Sequence, residues 1–116
     1  MARFVQITVP KTLWSYQCCV TGCGIQEALR VSHIKPWSES KDSERLDPYN
    51  GLPLLATLDA LFDKHLISFD PDGKMLISSE LSTPERELLL PRKRKLLSKP
   101  DTRTARFLRE HSKLLR

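Results

Sequence analysis

The middle of this sequence constrains the fold most, because strand, turn and helix signals follow one another there. Residues 29–34 (LRVSHI) fall into two alternating sets, as in a short β-strand. Pro36 marks the end of the strand because proline cannot donate to a strand ladder. After a polar loop over residues 37–49, Asn50-Gly51 is a strong turn signal. It leads into a brief extended piece, residues 52–55.

A helix is expected directly after that piece, over residues 58–65, with Thr57 as its N-cap. Apolar residues at i, i+3 and i+4 form one face of this helix. Asp59 and Asp63, four residues apart, emerge together from another face. The middle of the chain therefore predicts a ββα unit.

The flanking segment after this unit predicts a hairpin and two further helices. Residues 67–78 form the hairpin, with Gly73 in its turn. Thr83 is an N-cap signal followed by Pro84 at the first helical position. A last helix fits residues 101–115. The predicted fold class is α+β.

The charge of the chain is unevenly distributed. The 116 residues include 19 Lys and Arg against 14 Asp and Glu, a net charge of +5. Residues 84–116 hold eleven of the cations and four of the acids, so this third carries +7 and the remainder −2. A basic segment beside a mildly acidic body indicates a polyanionic partner. The alternative is a set of solvated helix faces.

The three cysteines, Cys18, Cys19 and Cys23, lie within six positions. An odd number so close together cannot form a disulfide framework, and a second ligand pair for structural zinc is missing. Reduced, mostly buried thiols are expected. No apolar run approaches the ~20 residues of a membrane span, and the N-terminus lacks a signal-peptide layout, so the expected location is cytoplasmic.

Four polar residues of the ββα unit are unusually placed. His33 lies at a strand end, Asn50 opens the turn, and Asp59 and Asp63 share a helix face. Two carboxylates repel unless positive charge lies between them, and Mg²⁺ or Mn²⁺ prefers oxygen ligands. The alternatives are a hydrogen-bonded structural histidine and a solvated helix face.

Three blocks in order, SHIKPW, DPYNGLPLL and LDALFDKHLISFDPDGKMLIS, resemble the HNH endonuclease family. A Cys-x-Thr-Gly segment at residues 19–22 precedes them, as in one branch of that family. The resemblance covers about residues 14–78. It implies a ββα-metal finger with an additional hairpin and flanking helices. Together with the charge distribution, it predicts an HNH-like nuclease core, residues 1–83, and a basic helical extension, residues 84–116, packed on or beside the core.

The resemblance also assigns roles. His33 falls on the general base, a role suited to histidine, which titrates near neutral pH, and Asn50 on the residue that holds the loop and orients the base. Asp59 stands where the family has a metal-ligating His, and Asp63 is placed to ligate the metal or orient a water. Ser32 is a poorer ligand that replaces the Asp of many members.

The resemblance implies a metal-dependent DNA endonuclease, of restriction type or from a mobile element, that uses Mg²⁺ or Mn²⁺. Its partner would be double-stranded DNA, and cleavage of both strands by one small site favours a homodimer. The departures at Ser32 and Asp59 keep open a catalytically impaired nucleic-acid-binding module. A third alternative is a protein or an anionic surface bound by the basic third. The residues expected to bind nucleic acid are Lys35, Arg92, Lys93, Arg94 and Lys95.

Two other histidines are expected to be less important. His65 lies fifteen residues after the Asn, where related sequences often carry the Gly that suits a helix C-terminus, so it is expected to be a helix-end residue, with a metal ligand as the alternative. His111, on the basic final helix, is expected at the surface or facing phosphate.

Overall fold

The computed structural model describes residues 14–116 and places a ββα unit at its centre. Two antiparallel strands are followed directly by a helix, which confirms the predicted order of elements. Residues 1–13, which belong to the predicted nuclease core, lie outside the described part of the chain. The described helices and strands are β1 (Leu29–His33), α1 (Asp42–Arg45), β2 (Gly51–Leu55), α2 (Ala56–Asp63), β3 (Ile67–Phe69), β4 (Met75–Ile77), α3 (Thr83–Leu89) and α4 (Thr102–Ser112).

The register of β1 and β2 brings the end of one strand beside the start of the other. His33 pairs with Gly51, and Leu29 pairs with Leu55 at the opposite end. The loop between the strands was expected to be irregular, but it contains α1 and two short 3₁₀ turns. The loop therefore has a regular structure of its own beside His33.

Helix α2 begins two residues earlier than predicted. Leu55 is its N-cap, with extended φ and ψ of −55° and 147°, and no side chain caps the helix. Thr57 lies inside the first turn because Ala56, a strong helix former, already has helical geometry. Leu58 and Phe62 are fully buried from this helix, so its apolar face packs into the core as predicted.

The predicted hairpin is confirmed, with Gly73 at a φ of +96° in the turn between β3 and β4. A later segment lies against its edge. The Met75 N–H donates to the Arg94 carbonyl at 2.9 Å, and the Leu96 N–H donates to the Gly73 carbonyl at 2.7 Å. An antiparallel bridge between Lys74 and Lys95 lies between these bonds. The basic run is thus fixed along the hairpin rather than hanging free.

The segment after residue 83 contributes to the same hydrophobic core as the ββα unit, through Leu90, Leu96 and Leu108. The N-cap of α3 is Ser82 rather than the predicted Thr83, because its hydroxyl accepts from the Glu85 N–H while the Glu85 carboxylate accepts from the Ser82 N–H. The last helix ends at residue 112, earlier than predicted. Within residues 14–116, no helix is long and apolar enough to cross a membrane.

Candidate active site

His33, the last residue of β1, has a defined ring orientation. Its Nε2 lies 3.3 Å from the Arg45 carbonyl oxygen, and its ring meets Trp37 edge-on, with centroids 5.4 Å apart at 75°. Arg45 in turn lies over the Trp37 ring and donates from Nε to the Trp37 carbonyl. A carbonyl oxygen only accepts, so the neutral imidazole carries its proton on Nε2 and its lone pair on Nδ1.

Asn50 is fully buried and joins both sides of the loop that covers His33. Its Oδ1 accepts from the Lys35 N–H at 2.8 Å, and its Nδ2 donates to the Glu44 carbonyl at 3.0 Å. Its own carbonyl accepts from the Ile34 N–H at 3.1 Å. The side-chain amide thus holds the residues that follow His33 against helix α1.

Ser32 and Asp59 lie together under the site. The Ser32 hydroxyl on β1 donates a hydrogen bond to the Asp59 carboxylate on α2, and the two residues are only 1% and 4% exposed. Asp63, one turn later, is exposed. The two carboxylates of this helix therefore have different surroundings, since that of Asp59 bonds to Ser32 on β1 and Asp63 is exposed.

A cleft of about 370 Å³ opens beside His33. Of the residues predicted for the site, His33 and Asp63 line it, whereas Ser32, Asn50 and Asp59 do not. The predicted set is thus divided between the cleft wall and the layer beneath it. The lining residues are His33, Ile34, Pro36, Trp37, Ser38, Asp63, His65 and His111.

The predicted metal ligands offer a sparse set of donors. The described chain, from Trp14 onward, contains no group of three or more His, Cys, Asp or Glu placed to hold a metal ion. Ser32 and Asp59 together supply one hydroxyl and one carboxylate. Mg²⁺ is commonly bound through one or two carboxylates, with waters and substrate phosphates completing its shell. Oxygen donors of this kind suit a hard cation rather than zinc, but the buried pair does not by itself form a metal-binding group.

His111 is buried, which makes the expectation of a surface or phosphate-facing residue wrong. Its Nδ1 accepts from the Ser68 hydroxyl at 2.7 Å, and its Nε2 donates to the Phe62 carbonyl at 2.9 Å. Its ring stacks on Phe62 with centroids 3.9 Å apart. Burial lowers the pKa of His111 to about 4, against a smaller opposing effect of the Phe62 hydrogen bond. The sequence contained a signal, since His111 lies three residues after the buried Leu108, on the same helix face.

His65 was expected as a helix-end residue, with a metal ligand as the alternative, and it lines the cleft with His33 and Asp63. Its backbone has a φ of +60°, which agrees with the prediction of a glycine-like position. The sequence contained no signal that a histidine there would reach the cleft, because that depends on the path of the chain after α2.

Lys35 lies near the site but has an acidic partner. Its Nζ is 3.0 Å from the Glu44 carboxylate, and the pKa of Glu44 is held below its ordinary value by the Lys41 backbone N–H first and by Lys35 second. Lys35 also lines a neighbouring groove of about 450 Å³ with Arg106 and Lys113. Three glutamates line the same groove, so its formal charges cancel: Glu39, Glu44 and Glu110.

A different concavity, of about 500 Å³, is strongly basic. It is lined by Lys74, Lys93, Arg94 and Lys95, with Asp72 as its acidic residue. Lys74 was missed in the sequence because only the bridge to Lys95 brings it beside the basic run. The Arg94 guanidinium is held by the Pro91 carbonyl and by Glu87. Lys74, Lys93 and Lys95 are exposed.

The cysteines are free thiols, as predicted. Cys18 and Cys19 are fully buried, and Cys23 is half-buried. Burial raises the pKa of Cys19 well above its ordinary value, with a further contribution from Cys18. These thiols pack as small hydrophobes in the turn before β1.

Residues 18–70 match a family model described as HNH endonuclease. This range contains β1, β2, α2 and the cleft residues His33, Asp63 and His65. Among curated proteins, none matches the chain.

Proposed function

Because residues 18–70 belong to the HNH endonuclease family, we propose that this protein is a metal-dependent DNA endonuclease that hydrolyses a phosphodiester at His33. The observation that carries the proposal is the orientation of this ring: Nε2 faces the Arg45 carbonyl, and the ring lines an open cleft. A base needs its lone pair directed by a partner on the other nitrogen. The Arg45 carbonyl is such a partner.

The proposed step is a general-base hydrolysis. The Nδ1 of His33 takes a proton from a water molecule, the water oxygen bonds to phosphorus, and the bond to the leaving ester oxygen breaks. The His33 ring keeps its place because Trp37 packs against it and Asn50 holds the following loop. In this proposal Asn50 is a positioning residue.

Asp59 and Ser32 would hold Mg²⁺ or Mn²⁺, with Asp63 close to the cleft as a ligand for one of its waters. A bound divalent ion supplies positive charge at the leaving oxygen. These residues suit such an ion because they offer oxygen ligands and because Mg²⁺ takes few of its ligands from the protein.

Nucleic-acid binding is proposed for Lys35 and for the basic run Arg92, Lys93, Arg94 and Lys95. Within that run the exposed Lys93 and Lys95 face the basic concavity, whereas the Arg94 guanidinium already has partners. Phosphate contacts of this kind hold nucleic acid without reading its bases. We propose double-stranded DNA as substrate in a restriction-type reaction, with a homodimer cutting both strands.

The second candidate function is a nucleic-acid-binding module that lacks hydrolysis. The Ser32–Asp59 hydrogen bond favours it, because the hydroxyl and carboxylate oxygens that a metal ion would need already bond to each other. A protein of this kind would bind nucleic acid through the basic concavity but would not hydrolyse it.

Supercoiled plasmid distinguishes the two candidates. With Mg²⁺ or Mn²⁺, the endonuclease nicks the plasmid, and the His33→Ala variant does not. A matched control is Lys41→Ala, an exposed position outside the cleft. Gel shifts that weaken with salt, without any nicking by the wild type, would establish the binding module instead.

A further inference from the structure

His65 occupies a position built for glycine. The Leu66 N–H donates to the Leu61 carbonyl at 2.9 Å, and the His65 N–H donates to the Phe62 carbonyl at 3.1 Å. These two bonds close the Schellman motif that ends α2 after its C-cap, Lys64. His65, the residue that follows the C-cap, takes the left-handed conformation of this motif, with φ +60°. A side chain there is strained relative to glycine.

The imidazole of His65 forms few contacts that could offset this backbone strain. Its Nδ1 is buried and has no hydrogen-bond partner within residues 14–116. The ring contacts that of His111, with centroids 4.5 Å apart. A buried polar atom without a partner is unfavourable. Backbone strain and an unsatisfied nitrogen thus coincide in one residue. The helix end explains the positive φ, but it does not explain why a histidine rather than a glycine takes it.

The same ring lies on the wall of the cleft that contains His33 and Asp63. Strained residues cluster at functional sites, where the surrounding structure maintains them. The buried Nδ1 leaves Nε2 as the ring nitrogen for a ligand in the cleft. The stack of His111 on Phe62 lies behind His65 and supports the ring at that wall.

We infer that His65 is a second substrate-binding histidine, which donates a hydrogen bond from its ring to an oxygen of the phosphodiester that occupies the His33 cleft. This inference rests on the proposed function and adds a residue to the same site. The ligand class is a phosphodiester of nucleic acid. The strain at φ +60° is maintained because glycine would leave this contact unmade.

The test uses His65→Gly, which removes the ring and relieves the backbone strain together. We expect cleavage to fall about 100-fold, while the midpoint of thermal unfolding stays at or above that of the wild type. His65→Asn, which also tolerates positive φ, serves as a second variant. Lys64→Ala is the control, since Lys64 is an exposed neighbour that does not line the cleft. A folded His65→Gly variant that cleaves at the wild-type rate would overturn the inference.

A binding measurement separates this inference from the proposed function. A deoxydinucleotide with one phosphodiester is titrated into the full chain, and the histidine side-chain NMR signals are followed. Shifts of both His33 and His65 support the inference. A shift of His33 alone overturns it and leaves the proposed cleft in place. Unchanged signals for both histidines contradict the proposed function as well.

Discussion

The Ser32 hydroxyl on β1 donates a hydrogen bond to the Asp59 carboxylate on α2. This contact joins the strand that ends at His33 to the helix that ends at the cleft wall. It also places a neutral hydroxyl where a second carboxylate would increase the affinity for a hard cation. Asp59 is therefore the one carboxylate of this buried pair beneath His33.

Ser32→Asp should convert this pair into a stronger cation site. Two adjacent buried carboxylates repel, so we expect the variant to be less stable than the wild type without metal. Millimolar Mg²⁺ should raise its unfolding midpoint more than that of the wild type. Thermal unfolding with Mg²⁺ and with EDTA measures both effects. An unfolding midpoint of Ser32→Asp that does not respond to Mg²⁺ would exclude a cation at this position.

Asn50→Ala should destabilise the loop over the site. The substitution leaves the Lys35 N–H and the Glu44 carbonyl without their side-chain partner. Buried groups left without partners cost about 1–3 kcal/mol each, so we expect a loss of about 2–6 kcal/mol in the free energy of unfolding. Urea titration measures this loss. Asp47→Ala, which removes a cap at the half-buried Asp47, is a milder control, and equal losses in the two variants would argue against the central role of Asn50.

The centre of the fold could be predicted from sequence because its signals are local. The strand at residue 29, the 3₁₀ turn that ends at Asn50 and the hairpin turn at Gly73 each depend on neighbouring residues, although Gly51 itself is extended in β2. The start of α2 was misplaced because its N-cap, Leu55, uses backbone geometry without a capping side chain. The side-chain capping preferences of the residues therefore gave the wrong first residue for α2.

The contents of the cleft could be predicted only in part. His33 and Asp63 follow from motif spacing, whereas the positions of His65 and His111 depend on how α4 packs against α2. Lys74 joins the basic concavity through a bridge to Lys95, twenty-one positions away. Contacts between distant segments leave little trace in local periodicity.

His111 predicts a pH dependence of stability. Folding lowers its pKa from 6.5 to about 4, so the unfolded chain takes up a proton before the folded chain does. The stabilising effect is complete above about pH 6.5 and is lost as the pH falls toward 4. Between pH 7 and pH 5 we expect a loss of about 2 kcal/mol. Urea unfolding of the wild type and of His111→Gln at both pH values measures it, and an equal pH dependence in the two proteins would refute this assignment.

The basic concavity predicts a change in the salt dependence of DNA binding. Lys93→Gln combined with Lys95→Gln removes two exposed cations from it. Each lost phosphate contact reduces the slope of log K against log salt by about 0.9, so the slope should become shallower by about 2. Lys41→Gln with Lys113→Gln, two exposed lysines outside the concavity, should leave the slope unchanged. Equal slopes for both double variants would place the DNA elsewhere.

The role of His33 as the base is tested most directly by chemical rescue. His33→Ala opens space beside Trp37 and removes the ring whose Nε2 faces the Arg45 carbonyl. We expect cleavage of a labelled DNA duplex to fall by about 10²–10⁴-fold, with DNA binding unchanged. Added imidazole should restore part of the rate in His33→Ala and have no effect on the wild type. Cleavage by His33→Ala at the wild-type rate without imidazole would contradict the account.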